Sequence, residues 1–362
     1  MLLPYKRLVV KIGSNVLTKE NGLPDMDRMV HLTNEIAALK KEGRQIIVVS
    51  SGAVAAGKSL VKISGKYDVV AARQLLASVG QVQLIHNYSN LFKEHGLICS
   101  QVLVTKDDFR DRLHYRNMLN CFEILLQHDI IPVVNENDVI SITELMFTDN
   151  DELAGLIASM IKADALIILT NVDGLYTGDP HDENSTIIEE IDPSVTDFTS
   201  FVTSRKSNFG RGGMLTKCYM ASKIAQLGIA VHIGNGTKEG ILRDIISDKI
   251  THTKFSPYKG VSGKKRWIAH TDKYSKGMVQ VNNGAKTALT GSKASSLLPV
   301  GIIGIEGEFK KKDIIKIVDE ESKLIGLGIA EYGSEKANEL LGQKNQKPLV
   351  HYNYLYLSQE NH

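Results

Sequence analysis

Ile130-Ile131-Pro132-Val133-Val134-Asn135-Glu136-Asn137-Asp138 and, after a gap of ten residues, Asp149-Asn150-Asp151 are the stretch on which the fold turns. Five apolar residues without polar alternation predict a strand buried on both faces. Residues 152–161 carry a helical apolar pattern. Seven polar residues, four of them carboxylates, therefore gather at the carboxyl end of a strand and the start of a helix. Ligands of open α/β sheets bind at that edge. Carboxylates and amides there can hold a cation, an ammonium group or a polar substrate.

Outward from this stretch the same alternation recurs. Short apolar runs at 8–10, 46–49, 98–104, 165–169 and 229–233 read as strands. Residues 26–41, 69–92, 115–127, 151–161, 214–227 and 240–246 read as helices. The order predicts an α/β fold with a mostly parallel sheet covered on both faces. The pattern changes beyond 250. Residues 251–263 lack helical periodicity. After them come strand-like pieces at 277–281, 301–305, 314–318 and 325–329 with glycine turns, as expected of a small β-barrel. The boundary is expected at 250–265.

Length and composition fit this division. The chain has 362 residues, 43% apolar and 23% charged, with a net charge of +2. That balance predicts no general attraction to nucleic acid or membrane. Residues 261–362 hold 15 Lys and Arg against 11 Asp and Glu, a net of +4, and the first 260 residues carry a net of −2. Cys99, Cys121 and Cys218 are far apart with no CxxC pair, which excludes a cysteine metal framework and suits a reducing, cytoplasmic setting. The first residues predict no signal peptide, and Lys162 and Asp164 interrupt the apolar stretch 153–169, so no membrane span is expected.

Gly52-Ala53-Val54-Ala55-Ala56-Gly57-Lys58-Ser59 matches the phosphate-loop pattern G-x-x-x-x-G-K-S letter for letter and follows a strand. Its interior is Ala-Val-Ala-Ala, which favours continuous helix over a loop whose N–H groups point inward. The expectation is instead that Ser50-Ser51-Gly52-Ala53 presents the Ser51 hydroxyl and free N–H groups to a ligand at a helix start. Two other elements suit phosphate. Lys11 ends the first strand beside the tight turn Gly13-Ser14. Gly210-Arg211-Gly212-Gly213 leads into a helix with Lys217 in its first turn, where a cation opposes the helix dipole unless an anion offsets it. The loop after Leu169, Thr170-Asn171-Val172-Asp173-Gly174-Leu175-Tyr176, can wrap a base or ribose.

Taken in order, Lys11-x-Gly13-Ser14, Ser50-Ser51-Gly52-Ala53, Asn135 to Asp138, Asp149-Asn150-Asp151, Thr170-Asn171-x-Asp173-Gly174-Leu175-Tyr176 and Gly212-Gly213-Met214-x-Thr216-Lys217 resemble the amino acid kinase family. Lys265-Arg266-Trp267-Ile268, Ser295 to Ile302 and Glu306-Gly307-x-Phe309 resemble a PUA domain. The resemblance implies a three-layer αβα kinase domain over 1–255 and a PUA domain over 265–362. It implies ATP-dependent phosphorylation of the γ-carboxylate of L-glutamate, the reaction that opens proline biosynthesis, with Mg²⁺; the alternatives are a kinase of the same family acting on another amino-acid carboxylate, or an RNA-binding protein acting through the PUA domain. It further implies Lys11, Lys217 and Asp151 as catalytic residues and Ser51, Asp138 and Asn150 as glutamate contacts. Lys11, Gly13, Thr170, Asn171, Arg211, Gly212, Gly213, Met214, Leu215, Thr216 and Lys217 become nucleotide contacts; the metal ligands are left open. Asn171, Arg211 and Leu215 depart from the commoner Asp, Thr and Ser, and Lys311-Lys312-Asp313 replaces a Gly-Asp turn. Proline as feedback inhibitor, a homo-oligomer and RNA as a partner of the PUA part are implied in the same way. A closing lid is expected to protect the acyl phosphate, and 187–208 is the candidate segment, a static surface loop being the equal alternative.

Overall fold

The runs of apolar residues form the centre of an eight-stranded sheet in a computed structural model. It describes residues 5–357 apart from 65–66, 111, 141–146, 148, 180–181, 183, 193–197, 199–212, 259–274 and 292–294. Its strands are β1 (Arg7–Ile12), β2 (Gln45–Ser50), β3 (Cys99–Val104), β4 (Ile131–Glu136), β5 (Ala165–Thr170), β6 (Glu190–Ile191), β7 (Ala230–Asn235) and β8 (Thr253–Phe255). Their order is β3-β4-β2-β1-β5-β7-β8-β6. Every described pairing is parallel except β7 with β8. The central strands are buried along almost their whole length. Cover on both faces is why their sequences show no polar alternation.

The helices are α1 (Ser14–Leu17), α2 (Met26–Lys41), α3 (Ala53–Leu60), α4 (Val69–Glu94), α5 (Lys106–Arg110), α6 (Arg112–Gln127), α7 (Asn150–Met160), α8 (Met214–Gln226) and α9 (Ile241–Ile246). Leu8, Val10 and Ile12 of β1 pack with Met29, Leu32 and Ile36 of α2, Tyr88 and Phe92 of α4, and Ile241 and Ile245 of α9. Alternation along β1 turns Val9 and Lys11 to the opposite face. Local signals set the helix starts. Asp25 caps α2 by accepting from Arg28 N, and Asp68 caps α4 by accepting from Ala71 N. The chain runs from β1 to β2 on one side of the sheet and later to β5 on the other. β1 and β5 are thus neighbours at the point where the strand order reverses, the place where a ligand crevice forms.

The phosphate-loop lookalike is a helix. Gly52 takes φ +110° as the residue before α3, and α3 then continues through Lys58 and Ser59. Lys58 is exposed in the last turn, and the Ser59 hydroxyl donates to Ala56 O. Neither can serve a phosphate cradled at the helix start. Gly57 has another reason to be glycine: a Cβ there would sit 2.0 Å from Leu76 O of α4. Reciprocally, a Cβ on Gly80 would sit 1.8 Å from Ala53 O. The two helices touch backbone to backbone.

Contacts divide the chain into two units, Met1–Lys259 and Gly260–His362. The second contains β9 (Gly277–Val281), α10 (Asn283–Thr290), β10 (Ile302–Glu306), β11 (Ile314–Val318), β12 (Leu324–Ile329), α11 (Ser334–Glu339) and β13 (Leu355–Leu357). Its sheet order is β10-β9-β11-β12-β13, with β9 and β11 parallel and the other pairs antiparallel. Val279, Ile315, Ile317, Ile325, Leu349 and Val350 form its core. At the Lys311-Lys312-Asp313 turn, Lys312 adopts φ +80°, the conformation that a glycine would take without cost. Asp313 compensates by accepting from Lys310 N at 2.8 Å.

Replacing Gly80 with Ala forces α3 and α4 apart and is expected to cost about 1–3 kcal/mol of stability, read as a lower urea midpoint at unchanged slope. Ser78→Ala, on an exposed turn of the same helix, is expected to stay near wild type.

Candidate active site

Lys11 and Lys217 meet on one carboxylate. Lys11 leaves the carboxyl end of β1 on the face covered by α7. Asp151 lies in the first turn of α7 and Lys217 in the first turn of α8. Lys11 Nζ is 2.6 Å from Asp151 Oδ1, and Lys217 Nζ is 3.0 Å from Asp151 Oδ2. The Asp151 side chain is 0% exposed, those of Lys11 and Lys217 6% and 14%. Burial alone would raise the Asp151 carboxyl; Lys11 and Lys217 overcome it and hold the group at about 2. Burial would likewise lower the Lys217 ammonium, but Asp151 lifts it above its usual value. Asp151 also favours the positive end of the α7 dipole and offsets the penalty of Lys217 at the start of α8. The Asp151 carboxylate is thus shared by two cations, and only a second anion beside them would balance both.

Asp149 behaves oppositely. It caps α7, with Oδ1 accepting from Asp151 N and Glu152 N. Burial, followed by the neighbouring Asp151 charge, pushes its carboxyl up to about 6 against the pull of both lysines. Its second oxygen, Oδ2, is buried without a hydrogen-bond partner. Sequence reasoning placed Asp149 in the acidic block but gave it no role.

On the other side of Asp151 lies an amide network. Asn150 Nδ2 donates to Ser51 Oγ at 2.9 Å, to Asn135 Oδ1 at 3.1 Å and to Ser50 O at 3.2 Å. Asn135 Nδ2 donates to Gln81 Oε1 at 2.9 Å, and Tyr88 OH pairs with Ser50 Oγ at 2.8 Å. Because the Ser51 oxygen accepts from Asn150, its proton is available to an incoming anion. Asn150 Oδ1 meets no donor among the described residues. Asp138 is buried and paired with Arg73, whose Nε and Nη2 lie 2.9 and 2.8 Å from Oδ1. Arg73 and Gln81 of α4 were not expected from the sequence.

At the β1–β5 junction, Gly13 N donates to Leu169 O at 3.1 Å, and a Cβ on Gly13 would lie 3.0 Å from that oxygen and 3.5 Å from Lys11 Nζ. Glycine keeps this surface open beside the ammonium. Thr170 ends β5, and its hydroxyl approaches the Asn171 side chain at 3.4 Å. Asp173 is held by Lys238 at 2.7 Å and by Asn235 Nδ2 at 2.9 Å. Lys238, in the turn after β7, is another cation that sequence reasoning missed. Gly213 precedes α8; Met214, Leu215 and Thr216 form its half-buried first turn. Arg211 and Gly212 lie outside the described residues, as do most of the expected lid at 187–208 and the segment 265–268.

A model of the amino acid kinase family matches residues 6–235, and one of the PUA domain matches residues 277–352. The chain belongs to the amino acid kinase family. Glutamate 5-kinase of Chlorobaculum tepidum is 53% identical over 354 residues, covering 98% of both chains. Glutamate 5-kinase of Bacteroides thetaiotaomicron is 49% identical over 356 residues, covering 98% of this chain and 99% of that one. Among solved structures, the carbamate kinase of Giardia lamblia bound to AMP-PNP superposes with a TM-score of 0.51 at 17% identity, covering 71% of this chain and all of that one. An isopentenyl phosphate kinase substrate complex gives 0.51 at 16%, covering 69% of this chain. At such identities these two attest the amino acid kinase fold alone. No helix among the described residues is long and apolar enough to cross a membrane.

The raised carboxyl of Asp149 predicts a pH dependence for this amino acid kinase. The folded state favours protonated Asp149, so that contribution is complete below about pH 4 and is lost as pH rises through about 6. Asp149→Asn, neutral throughout and still able to cap α7, is expected to remove a decline on the order of 2 kcal/mol between pH 4 and 7. Urea denaturation at stepped pH measures it. Asp151 has the opposite sign: its stabilisation is present above about pH 4 and is lost only as pH falls towards about 2.

Proposed function

We propose that this chain transfers the γ-phosphoryl group of ATP to the γ-carboxylate of L-glutamate, giving L-glutamyl 5-phosphate, the first step of proline biosynthesis. The observation that carries the reading is the convergence of Lys11 and Lys217 on Asp151. A side-chain carboxylate of glutamate has a pKa of about 4.3 and is ionised at neutral pH, so no base need remove a proton from it. The obstacle is repulsion between an anionic nucleophile and an anionic phosphate. Phosphoryl transfer then depends on positioning and on neutralising charge that spreads over the transferring group. Two ammonium groups, Lys11 buried and Lys217 half-buried, are fixed beforehand by Asp151 and meet that need without reorganisation.

The remaining residues divide around this pair. Gly13, Thr170, Asn171 and the segment from Gly213 to Thr216 take the nucleotide on the β5 and α8 side, joined by Arg211 and Gly212, which precede them in sequence. Ser51, Asn150 and Asp138 take glutamate on the β2 and β4 side. The free Ser51 proton suits a carboxylate, and the Asn150 and Asp138 oxygens suit an ammonium. Magnesium fits Asp149 better than Asp151, because both Asp151 oxygens already face lysines whereas Asp149 Oδ2 is buried without a partner. Among the described residues no group of three or more metal-binding side chains forms a cage. That is ordinary for Mg²⁺, which binds through one or two carboxylates plus substrate phosphates. When bound, the ion would supply further positive charge to the phosphate oxygens.

The test is ADP release that requires both glutamate and Mg²⁺. Lys11→Met and Lys217→Met are each expected to lower kcat about a hundred- to a thousandfold. Lys58→Ala is expected to leave turnover unchanged. Wild-type turnover in either of the first two, or loss in the third, would overturn the assignment.

A further inference from the structure

We propose that Arg73 of α4 is a positioning residue that sets the acceptor specificity of this site by aiming the Asp138 carboxylate. The inference rests on the reading of Asp138 as an acceptor contact. Asp138 comes from the loop after β4, 65 residues away from Arg73 in sequence. Two guanidinium N–H groups converge on the same oxygen, Oδ1, at 2.9 and 2.8 Å. This grip fixes the rotation of the carboxylate and directs Oδ2 elsewhere. Among the described residues no donor reaches Oδ2. The next residue of the helix secures the backbone of the same loop, since Gln74 Nε2 donates to Val139 O at 2.9 Å. One turn of α4 therefore fixes both the position of the loop and the orientation of its carboxylate.

The grip is one end of a longer stripe. Arg73, Gln81 and Tyr88 fall on one face of α4 at the helical period. They hold Asp138, Asn135 and Ser50 respectively. Asp138 is thus oriented directly from α4, and Asn150 one step removed, through Asn135, which α4 also holds.

The chemistry of the pair gives it a further role. Arg73 and Asp138 together are neutral, so the pair exerts little pull on cations in general. What it offers is one directed acceptor oxygen on a buried side chain, 7% exposed. An ammonium at the right place gains a charge-assisted hydrogen bond there. An acceptor without that ammonium leaves Oδ2 unpaired and loses it. Arg73 thereby turns a carboxylate into a test for the amino group of the acceptor.

The experiment compares wild type, Arg73→Ala, Arg73→Lys and Asp138→Asn with two acceptors, glutamate and glutarate, which lacks the amino group. Arg73→Ala is expected to raise the glutamate KM about tenfold while kcat changes less than about threefold. The ATP KM is expected to stay constant and the preference for glutamate over glutarate to narrow. Arg73→Lys keeps a charge but one fewer N–H contact and is expected to fall between; if Arg73→Ala fails to fold, this intermediate split carries the test. An unchanged glutamate KM, or equal losses with both acceptors and with ATP, overturns the proposal and leaves Arg73 a structural residue. Asp138→Asn separates the two levels. If it leaves the preference intact, the acceptor reading of Asp138 itself fails. If it narrows the preference while the Arg73 variants do not, only the positioning role fails.

Discussion

A buried aspartate with a lysine on each oxygen is the constraint that organises this molecule. Asp151 cannot be replaced by a neutral group without leaving two ammonium ions packed together away from water, and the lysines cannot be buried without it. The three charges come from β1, α7 and α8, more than two hundred residues apart at the extremes. The central strand has to end where α7 begins, and α8 has to return its first turn to that place. The reversal of strand order between β1 and β5 provides the opening in which this can happen.

The two neighbouring aspartates of the α7 start show how one local sequence yields two chemistries. Asp149 and Asp151 share a helix end and a buried setting. Asp151 faces two cations and is held ionised. Asp149 faces Asp151 and the α7 N–H groups and retains a proton more readily. The difference lies in which neighbours each oxygen meets, and not in depth alone. With two lysines against one fixed and one adjustable carboxylate, the site ranges from neutral to net positive, which suits an anionic nucleotide.

Much of this was legible in the chain. The central strands read clearly because cover on both faces leaves uninterrupted apolar runs, as in 165–169. Helix α3 was legible through its alanines despite a motif that argued otherwise, because helix propensity acts on the backbone that a phosphate loop would need to bend. Lys11, Asp151 and Lys217 could be named from the order of short motifs. Arg73 and Gln81 could not. In a long helix they look like solvent-facing polar residues, and their partners Asp138 and Asn135 lie 65 and 54 residues away. The strands Glu190–Ile191, Thr253–Phe255 and Leu355–Leu357, of two or three residues each, are too short to show a period. Helix α10 was also missed, although Asn282, which caps it by accepting from Ala285 N, was a usable signal.

The contact of Gly57 and Gly80 has a wider meaning for how the pocket tolerates change. Ordinary helix pairs are separated by a layer of side chains that can shift rotamers to absorb a substitution nearby. Here main chain lies on main chain, so that cushion is missing. Ser51 precedes α3, and Arg73 and Gln81 ride on α4, which makes the two helices a single stiff jaw rather than two adjustable walls. Drift in the residues around it can therefore retune the charges it carries more easily than it can alter the spacing between them.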